Sequence, residues 1–369
     1  MGTRGVPASY GGFETFAEEL GVRLVERGHH VTVYGRTHIV PPEVKKHRGI
    51  TIRRLPTIRH KYLDTVLHTA LSVLDGLFRR FDVVLICNAA NAPFALVPRL
   101  AGAKVALNVD GLEWRRAKWG LLGRNYYRFC SLLASKLPIV LVSDARVIAE
   151  YYWERHRRST VFIPYGTDTS RLAPGPTLRR FGLEPCGYIL YVSRLEPENN
   201  ADAVITGYGE SGLGPEVPLV LVGDAPYASE YKRELQEMAR RTPGVMMVGY
   251  VFGDGYAELQ SNCAVYVQAT EVGGTHPALI EAMGRGAAIV ANDVPEHREV
   301  LGDTGLYFRA AEPASLATAL CMLVGDSLER DRLREAARGR AEREYSWARV
   351  ADRYETLFTR MVSGSQSGR

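Results

Sequence analysis

Short apolar runs alternate with longer amphipathic stretches along the chain. The runs HVTVYGR (30–36), DVVLIC (82–87), AKVALNVD (103–110) and PIVLVSD (138–144) carry β-branched residues and end in polar or glycine residues. Such runs suit strands buried on both faces of a parallel sheet, and the segments between them are long enough for crossover helices. A second series follows: YILYVSR (188–194), PLVLVGD (218–224), VMMVGYV (245–251), CAVYVQAT (263–270) and AAIVAND (287–293). The pattern predicts an α/β fold of two Rossmann-like halves. Residues 164–185, PYGTDTSRLAPGPTLRRFGLEP, are rich in Pro, Gly and Thr and read as the linker between them.

The first half opens irregularly. MGTRGVPASYGGFETFAEEL begins where a first βα turn should follow a strand, yet only Met1 precedes the turn. Strand 1 is central in a Rossmann sheet, so either the natural chain starts several residues upstream or a degraded strand suffices. After that turn, Gly11 and Gly12 precede a helix whose apolar face is Phe16, Leu20 and Leu24. Free N–H groups at such a helix start can hold a phosphate or shape an acceptor pocket.

The segment EVGGTHPALIEAMGRG (271–286) repeats this logic with more chemistry. Pro277 suits the first helical position, where its missing N–H would have no partner, and Thr275 or His276 is placed to cap the helix. Gly273 and Gly274 let the backbone approach a ligand, and the helix start favours an anion. Glu281 lies one turn on, on the face of Pro277. By itself the segment fits an ordinary strand-to-helix turn as well.

Composition narrows the class. The chain has 369 residues, 46% hydrophobic and 24% charged, a soluble globular composition long enough for two domains. Its five cysteines are scattered without a C-x-x-C pair and read as reduced thiols of a cytoplasmic protein. No secretory signal is evident, nor a run of about 18 apolar residues to span a bilayer. Charge is uneven: residues 1–164 hold 25 Lys and Arg against 13 Asp and Glu, or +12, and the remainder 21 against 28, or −7. The basic half lacks a recognition helix or RNP-type motif, so nucleic acid is not the expected partner. An anionic membrane face or a pyrophosphate-bearing acceptor explains the asymmetry as well or better, and an incidental solvated basic face remains an alternative.

Two strand ends carry further chemistry. In YVSRLEPENN, Arg194 falls at the carboxyl end of a strand, where α/β sheets bind ligands, and a guanidinium there suits a diphosphate. In NVDGLEWRRAKWG (108–120), Asp110 and Glu113 follow a strand among cations and two tryptophans. Carboxylates so placed can orient or deprotonate a hydroxyl, although a solvated loop with a surface ion pair would look the same.

With these motifs assembled, the chain resembles the family-4 retaining glycosyltransferases of the GT-B fold. The resemblance runs from GGFETFAEELGVRLVERGHHVTVY through VSDARVIAEYY, VFIPYGTD, YVSRLEP, VPLVLVGD and HPALIEAMGRGAAIVAND to YSWARVADRYETLF. The set GTRGVPASYGGFETF, DGLEWRRAKW, SRLEPENN and EVGGTHPALIEAMG is similar to the narrower branch of bacterial rhamnosyltransferases that build cell-wall and capsular polysaccharides. Two positions depart from the broad family. Asn199 stands where the lysine of its Arg-x4-Lys pair would be. Gly273 stands where the first carboxylate of its Glu-x7-Glu pair would be, with Glu271 the nearest replacement.

The resemblance implies two Rossmann-like domains facing each other across a cleft. Residues 1–164 would bind the acceptor, with a truncated first strand, and 165–345 the donor. A closing helix over about 346–362 would pack back on the first domain. It implies hexosyl transfer, L-rhamnose as the best guess, from a nucleoside-diphosphate sugar to a glycan or polyprenyl-diphosphate-linked acceptor. Donor-binding residues would be Gly11, Gly12, Arg194, Asn199, Glu271, Gly273, Gly274, Thr275, His276 and Glu281, with Asp110, Glu113 and Arg194 catalytic. Retention implies front-face transfer in which the leaving diphosphate helps deprotonate the acceptor, and no metal is required. A cytoplasmic protein, peripheral at the inner face of the plasma membrane, is expected. A GT-B sugar-nucleotide epimerase and a non-catalytic sugar-nucleotide-binding protein remain alternatives.

Overall fold

The structure, a computed structural model, describes residues 1–8, 11–60, 63–109, 111–115, 119–224, 229–271 and 273–364. The chain folds into two compact units: Met1–Gly166 with the chain from Trp347 onward, and Thr167–Ser346.

In the first unit, α1 (Gly12–Glu26) starts from Gly11, whose carbonyl receives the N–H groups of Glu14 and Thr15 at 3.1 and 3.2 Å. Phe16, Leu20 and Leu24 recur at a spacing of four and are all buried. Strands β1 (Thr32–Arg36), β2 (Lys46–His47) and β3 (Ile50–Leu55) make a sheet in the order β1-β3-β2. There follow α2 (Asp64–Leu77), β4 (Val83–Cys87), α3 (Leu96–Leu100), β5 (Lys104–Val109), α4 (Leu121–Ala134), β6 (Val140–Ser143), α5 (Arg146–His156) and β7 (Val161–Phe162). Strands β4 to β7 form a second, wholly parallel sheet in sequence order.

The first residues lie between these sheets. Arg36 N–H on β1 donates to the Arg4 carbonyl at 3.0 Å, and Cys87 N–H on β4 to that of Met1 at 2.9 Å. The Met1 ammonium in turn donates to the Leu85 carbonyl at 2.8 Å. The closing helix, Trp347–Ser363, packs on this unit: Arg27 reaches Glu355 at 2.7 Å, the Phe16 and Tyr354 rings meet at 5.4 Å, and Asn108 donates to the Tyr354 hydroxyl at 2.9 Å.

In the second unit the elements are α6 (Pro176–Phe181), β8 (Ile189–Val192), α7 (Ala201–Ser211), β9 (Leu219–Val222), α8 (Ser229–Arg241), β10 (Val245–Gly249), α9 (Gly253–Asn262), β11 (Val265–Gln268), α10 (Pro277–Gly284), β12 (Ala288–Asn292), α11 (Pro295–Leu301), β13 (Leu306–Phe308), α12 (Pro313–Gly325) and α13 (Ser327–Tyr345). One six-stranded parallel sheet runs β10-β9-β8-β11-β12-β13. Strand order reverses between β8 and β11, and the crevice beyond such a reversal is where open α/β sheets bind ligands.

Most of the stretch read as a linker belongs to this second unit. Gly175, Thr177 and Leu178 N–H groups at the start of α6 donate to the Glu258 carboxylate at 2.8, 3.1 and 2.9 Å. Burial pushes the Glu258 pKa up, but these bonds outweigh it and hold it below the ordinary value. Pro and Gly here start a helix instead of marking free chain.

Candidate functional site

The site is assembled at the carboxyl ends of β8 and β11, the neighbouring strands at the reversal. Beyond β8 the chain turns through Ser193 and Arg194, whose guanidinium is 38% exposed and 3.6 Å from the Glu196 carboxylate. It is therefore available to an anion. Asn199, expected to touch the donor, is buried, and its side-chain amide donates to the Arg194 carbonyl at 2.6 Å. The Tyr191 hydroxyl donates to the Asn199 carbonyl at 2.6 Å. Asparagine in the lysine position thus fastens the turn that carries Arg194. A charged amine could not sit there without desolvation.

The two loops are tied together. Asn200 donates to the Ala269 carbonyl at 2.8 Å and to the Glu271 carboxylate at 3.2 Å, and the Glu271 N–H donates to the Glu198 carbonyl at 3.1 Å. Past Glu271, Gly274 and Thr275 are buried. Pro277 opens α10 as expected, with His276 as the capping residue. Its side chain makes no capping bond, contrary to the expectation for His276. The reason is local: His276 sits at φ +40°, ψ 84°, and its ring turns back to Thr270 Oγ1, 3.2 Å from Nδ1. Only its carbonyl serves the helix, accepting from Leu279 N–H at 2.9 Å.

Glu281, one turn into α10, accepts from the Tyr256 hydroxyl at 2.7 Å, and Gln260 donates to that hydroxyl at 2.8 Å and to the Ala278 carbonyl at 3.1 Å. Burial pushes the Glu281 carboxyl up to about 7, against the Tyr256 bond and the Arg285 charge, with Asp168 adding to the rise. Beneath the loop runs a buried polar chain. Tyr266 donates to Gln268 at 3.1 Å and Gln268 to Thr270 at 2.7 Å, with Thr270 3.1 Å from His297 Nε2. Tyr256, Gln260, Thr270 and His297 were not anticipated from the sequence. His297 stands among Glu296, Arg298 and Glu299 in α11, so the sequence around it carries no signal of the network.

Arg194, Asn199, Glu271, Gly273, Gly274, Thr275, His276 and Glu281 thus come together within the second unit. Gly11, Gly12 and Glu113 lie in the first unit. Glu113 opens a short 3-10 turn, Glu113–Arg115, and accepts from the Trp119 indole N–H at 3.3 Å. Asp110, the other carboxylate proposed there, lies outside the described residues. Among the described residues, no three or more His, Cys, Asp or Glu side chains are grouped to hold a metal ion, and no helix is long and apolar enough to cross a membrane.

Comparison with known proteins bears on the fold. A solved sucrose-phosphate synthase from Thermosynechococcus elongatus superposes with a TM-score of 0.79 over 96% of this chain and 94% of its own, at 18% identity. Anabaena HepE in complex with UDP and glucose gives 0.77 over 95% and 96%, at 16% identity. The fold is therefore GT-B, with two Rossmann-like domains. Residues 187–326 match the family described as Glycosyl transferases group 1, and residues 84–168 match Domain of unknown function (DUF1972). Similar curated proteins include O-antigen chain mannosyltransferase B of Escherichia coli, 28% identical over 59% of this chain and 58% of that protein. Phosphatidyl-myo-inositol mannosyltransferase of Mycobacterium leprae is 31% identical over 62% and 60%. The matches thus span about three fifths of those relatives' own length. Within the second unit, residues 187–326 are thus similar to a group 1 glycosyl transferase domain.

Proposed function

We propose that the chain is a retaining glycosyltransferase that moves a hexosyl group from a nucleoside-diphosphate sugar to a glycan or polyprenyl-diphosphate-linked acceptor. The observation that carries this reading is the arrangement at the β8 and β11 ends: an exposed guanidinium, a helix start behind two glycines whose capping residue makes no side-chain capping bond, and a carboxylate one helical turn further on. The diphosphate would lie over the N-terminus of α10 with Arg194 against it. Glu281, ionised, would accept from the ribose hydroxyls. Catalysis then consists of orienting both substrates and stabilising the leaving diphosphate, one of whose oxygens takes the acceptor proton as the new glycosidic bond forms on the same face. Asp110 and Glu113 would orient the acceptor hydroxyl from the first unit.

L-Rhamnose is the sugar favoured by the four motifs shared with the rhamnosyltransferase-like branch. The names of the curated relatives make mannose the competing choice. Attachment to an anionic membrane is part of the same reading. Helix α4 buries Gly123, Tyr127, Cys130, Ser131 and Ala134 while Leu121, Leu122, Phe129 and Leu132 are exposed beside exposed Arg128. Apolar side chains among cations suit an anionic interface.

The test is a melting-temperature screen of UDP-, GDP- and dTDP-sugars followed by a transfer assay with lipid-linked acceptors. A ligand at 100 times its dissociation constant stabilises by about 2.7 kcal/mol. Stabilisation by one nucleotide sugar with transfer to acceptor supports the reading. Isomerisation without acceptor would make the chain an epimerase, and binding without turnover a sugar-nucleotide-binding protein.

A further inference from the structure

We propose that the loops at the carboxyl end of β1 bind the diphosphate of a prenyl-linked acceptor, with Arg4, His38 and Arg59 around the anion and the prenyl stem along Ile58 and Leu63. This inference rests on the transfer reading above and deepens it, naming residues of the first unit that hold the acceptor. Three stretches of chain meet here. The Arg4 carbonyl accepts the Arg36 N–H at 3.0 Å, and the Arg4 N–H donates to Glu14 on α1 at 2.8 Å. Residues 37–40 form a turn closed on the Arg36 carbonyl, which accepts from Ile39 and Val40 N–H at 3.0 and 2.9 Å. The third stretch, 56–60, is tied to the start of α2 by the Thr57 hydroxyl, which donates to the Asp64 carbonyl at 2.8 Å. Carboxyl ends of parallel strands are where α/β sheets take their ligands.

The first support is an excess of positive charge on buried groups. The Arg36 guanidinium is buried, bonded to the Asp64 carboxylate and, at 3.0 Å, to the Thr65 hydroxyl. Among the described residues its Nε, Asp64 Oδ1 and the hydroxyl of buried Thr3 have no hydrogen-bond partner. Buried polar groups are as a rule bonded, so this strand end has bonding capacity to offer. The surroundings of His38 show which charges gather here. Burial lowers its pKa, Arg59, Arg36 and Arg4 add to the fall, and Asp64 opposes it. Glu14, the other carboxylate acting on Arg36, has its own pKa raised by burial against the pull of Arg4 and Arg36. Three guanidinium groups thus face two carboxylates, one of them pushed towards its neutral form. An anion would balance them.

The second support is what flanks the charge. Arg59 is exposed, and so are the large apolar side chains of Ile58 and Leu63 on either side of it in the chain. A free phosphate or a nucleotide has no use for them, whereas a prenyl diphosphate presents an apolar stem directly behind its anion. A guanidinium grips such an anion through paired N–H donors. Arg4 is bonded to the first turn of α1, so an anion beside it lies next to the Gly11–Gly12 turn expected to shape an acceptor pocket.

The experiment is titration calorimetry of the full chain with farnesyl diphosphate, inorganic pyrophosphate, the nucleotides UDP, GDP and dTDP, and phosphatidylglycerol vesicles. Wild type should bind farnesyl diphosphate more tightly than pyrophosphate, and none of the nucleotides should displace it. Arg59→Gln, at an exposed position, should weaken farnesyl diphosphate about tenfold, the worth of one charge-assisted contact. Nucleotide affinity and melting temperature should stay as in wild type. Arg59→Lys, which keeps the charge and loses the fork, should recover part of the loss. Ile58→Ser should weaken farnesyl diphosphate and leave pyrophosphate unchanged. Equal farnesyl diphosphate affinity in wild type and Arg59→Gln, or its displacement by a nucleotide, would overturn the proposal and leave the transfer reading standing. So would a loss in Arg59→Gln confined to the vesicles, which would make the cluster a general surface for anionic lipid. If wild type binds no nucleotide and no nucleotide sugar, the transfer reading fails and takes the acceptor role with it.

Discussion

In the second unit six parallel strands share one sheet, and the candidate donor site sits at its strand-order reversal. In the first unit the strands divide into sheets of three and four, with residues 1–4 bonded between β1 and β4. The second unit also gathers its site from backbone as much as from side chains: a helix start, two glycines, and a turn fastened by Asn199 and Asn200. The first unit offers instead an accumulation of cations and exposed apolar side chains on α4. The contrast suggests two kinds of recognition. One is a shaped anion site whose specificity depends on a few bonds, and the other a surface whose affinity is a sum of weak, salt-sensitive terms.

The sharpest way to break this contrast is at Arg194. Arg194→Ala removes a charge-assisted contact to the diphosphate, worth about 1.5–3 kcal/mol, or about ten- to a hundredfold in donor affinity. Transfer should slow in proportion, while attachment to vesicles stays as it was. Wild-type donor affinity in this variant would remove Arg194 from the site.

How much of this was readable before the structure depends on where the information lies. The runs that became β8, β11 and β12 were legible because strands buried on both faces must be apolar throughout. The α10 start was legible because Pro277 and the paired glycines are local signals. Strand β3, ITIRRL, was not, since Arg53 and Arg54 interrupt its apolar residues. Their charges are met by Asp75, 3.1 Å from Arg53, and by the Val40 carbonyl, 2.7 Å from Arg54. The networks Tyr256–Glu281 and Thr270–His297 join residues 25 and 27 positions apart on different elements, so no spacing announces them. The strained backbone of His276 was hidden for the same reason. What holds it is tertiary.

A second, smaller effect concerns pH. In the unliganded protein Glu281 titrates near 7 instead of 4.5 because burial disfavours its charge, with Tyr256 and Arg285 opposing and Asp168 reinforcing the rise. Its neutral form therefore favours the folded state. That contribution is complete below about pH 4.5 and is lost as pH rises through about 7. Donor binding has the opposite sign. Ribose hydroxyls bond best to the ionised carboxylate, so nucleotide-sugar affinity should rise with pH across the same interval. Glu281→Gln should weaken donor binding by about 1–2 kcal/mol and flatten that dependence. Affinity measured from pH 5.5 to 8.5 decides it, and a flat wild-type profile would remove the ribose role from Glu281.

The smallest expected effect lies in the first unit. Nineteen of the 25 cations in residues 1–164 are arginines, with clusters at 53–61, 115–128 and 155–158. On α4, Leu122 is 88% exposed and Leu121 79%, one turn from Arg124 and two from Arg128. A single cation near an anionic leaflet contributes about 1 kcal/mol, and its reach fades within about 8 Å at physiological salt. Arg128→Gln should therefore weaken attachment to vesicles containing anionic lipid by about fivefold, less so as salt is raised, and leave donor affinity unchanged. Leu122→Asp, which puts a negative charge where an apolar side chain would enter the interface, should weaken it further. Co-sedimentation on anionic and neutral vesicles at two salt concentrations reads both variants. Equal recovery of the wild-type protein on the two lipids, or none on either, would mean that α4 exposes its leucines for some purpose other than an anionic surface.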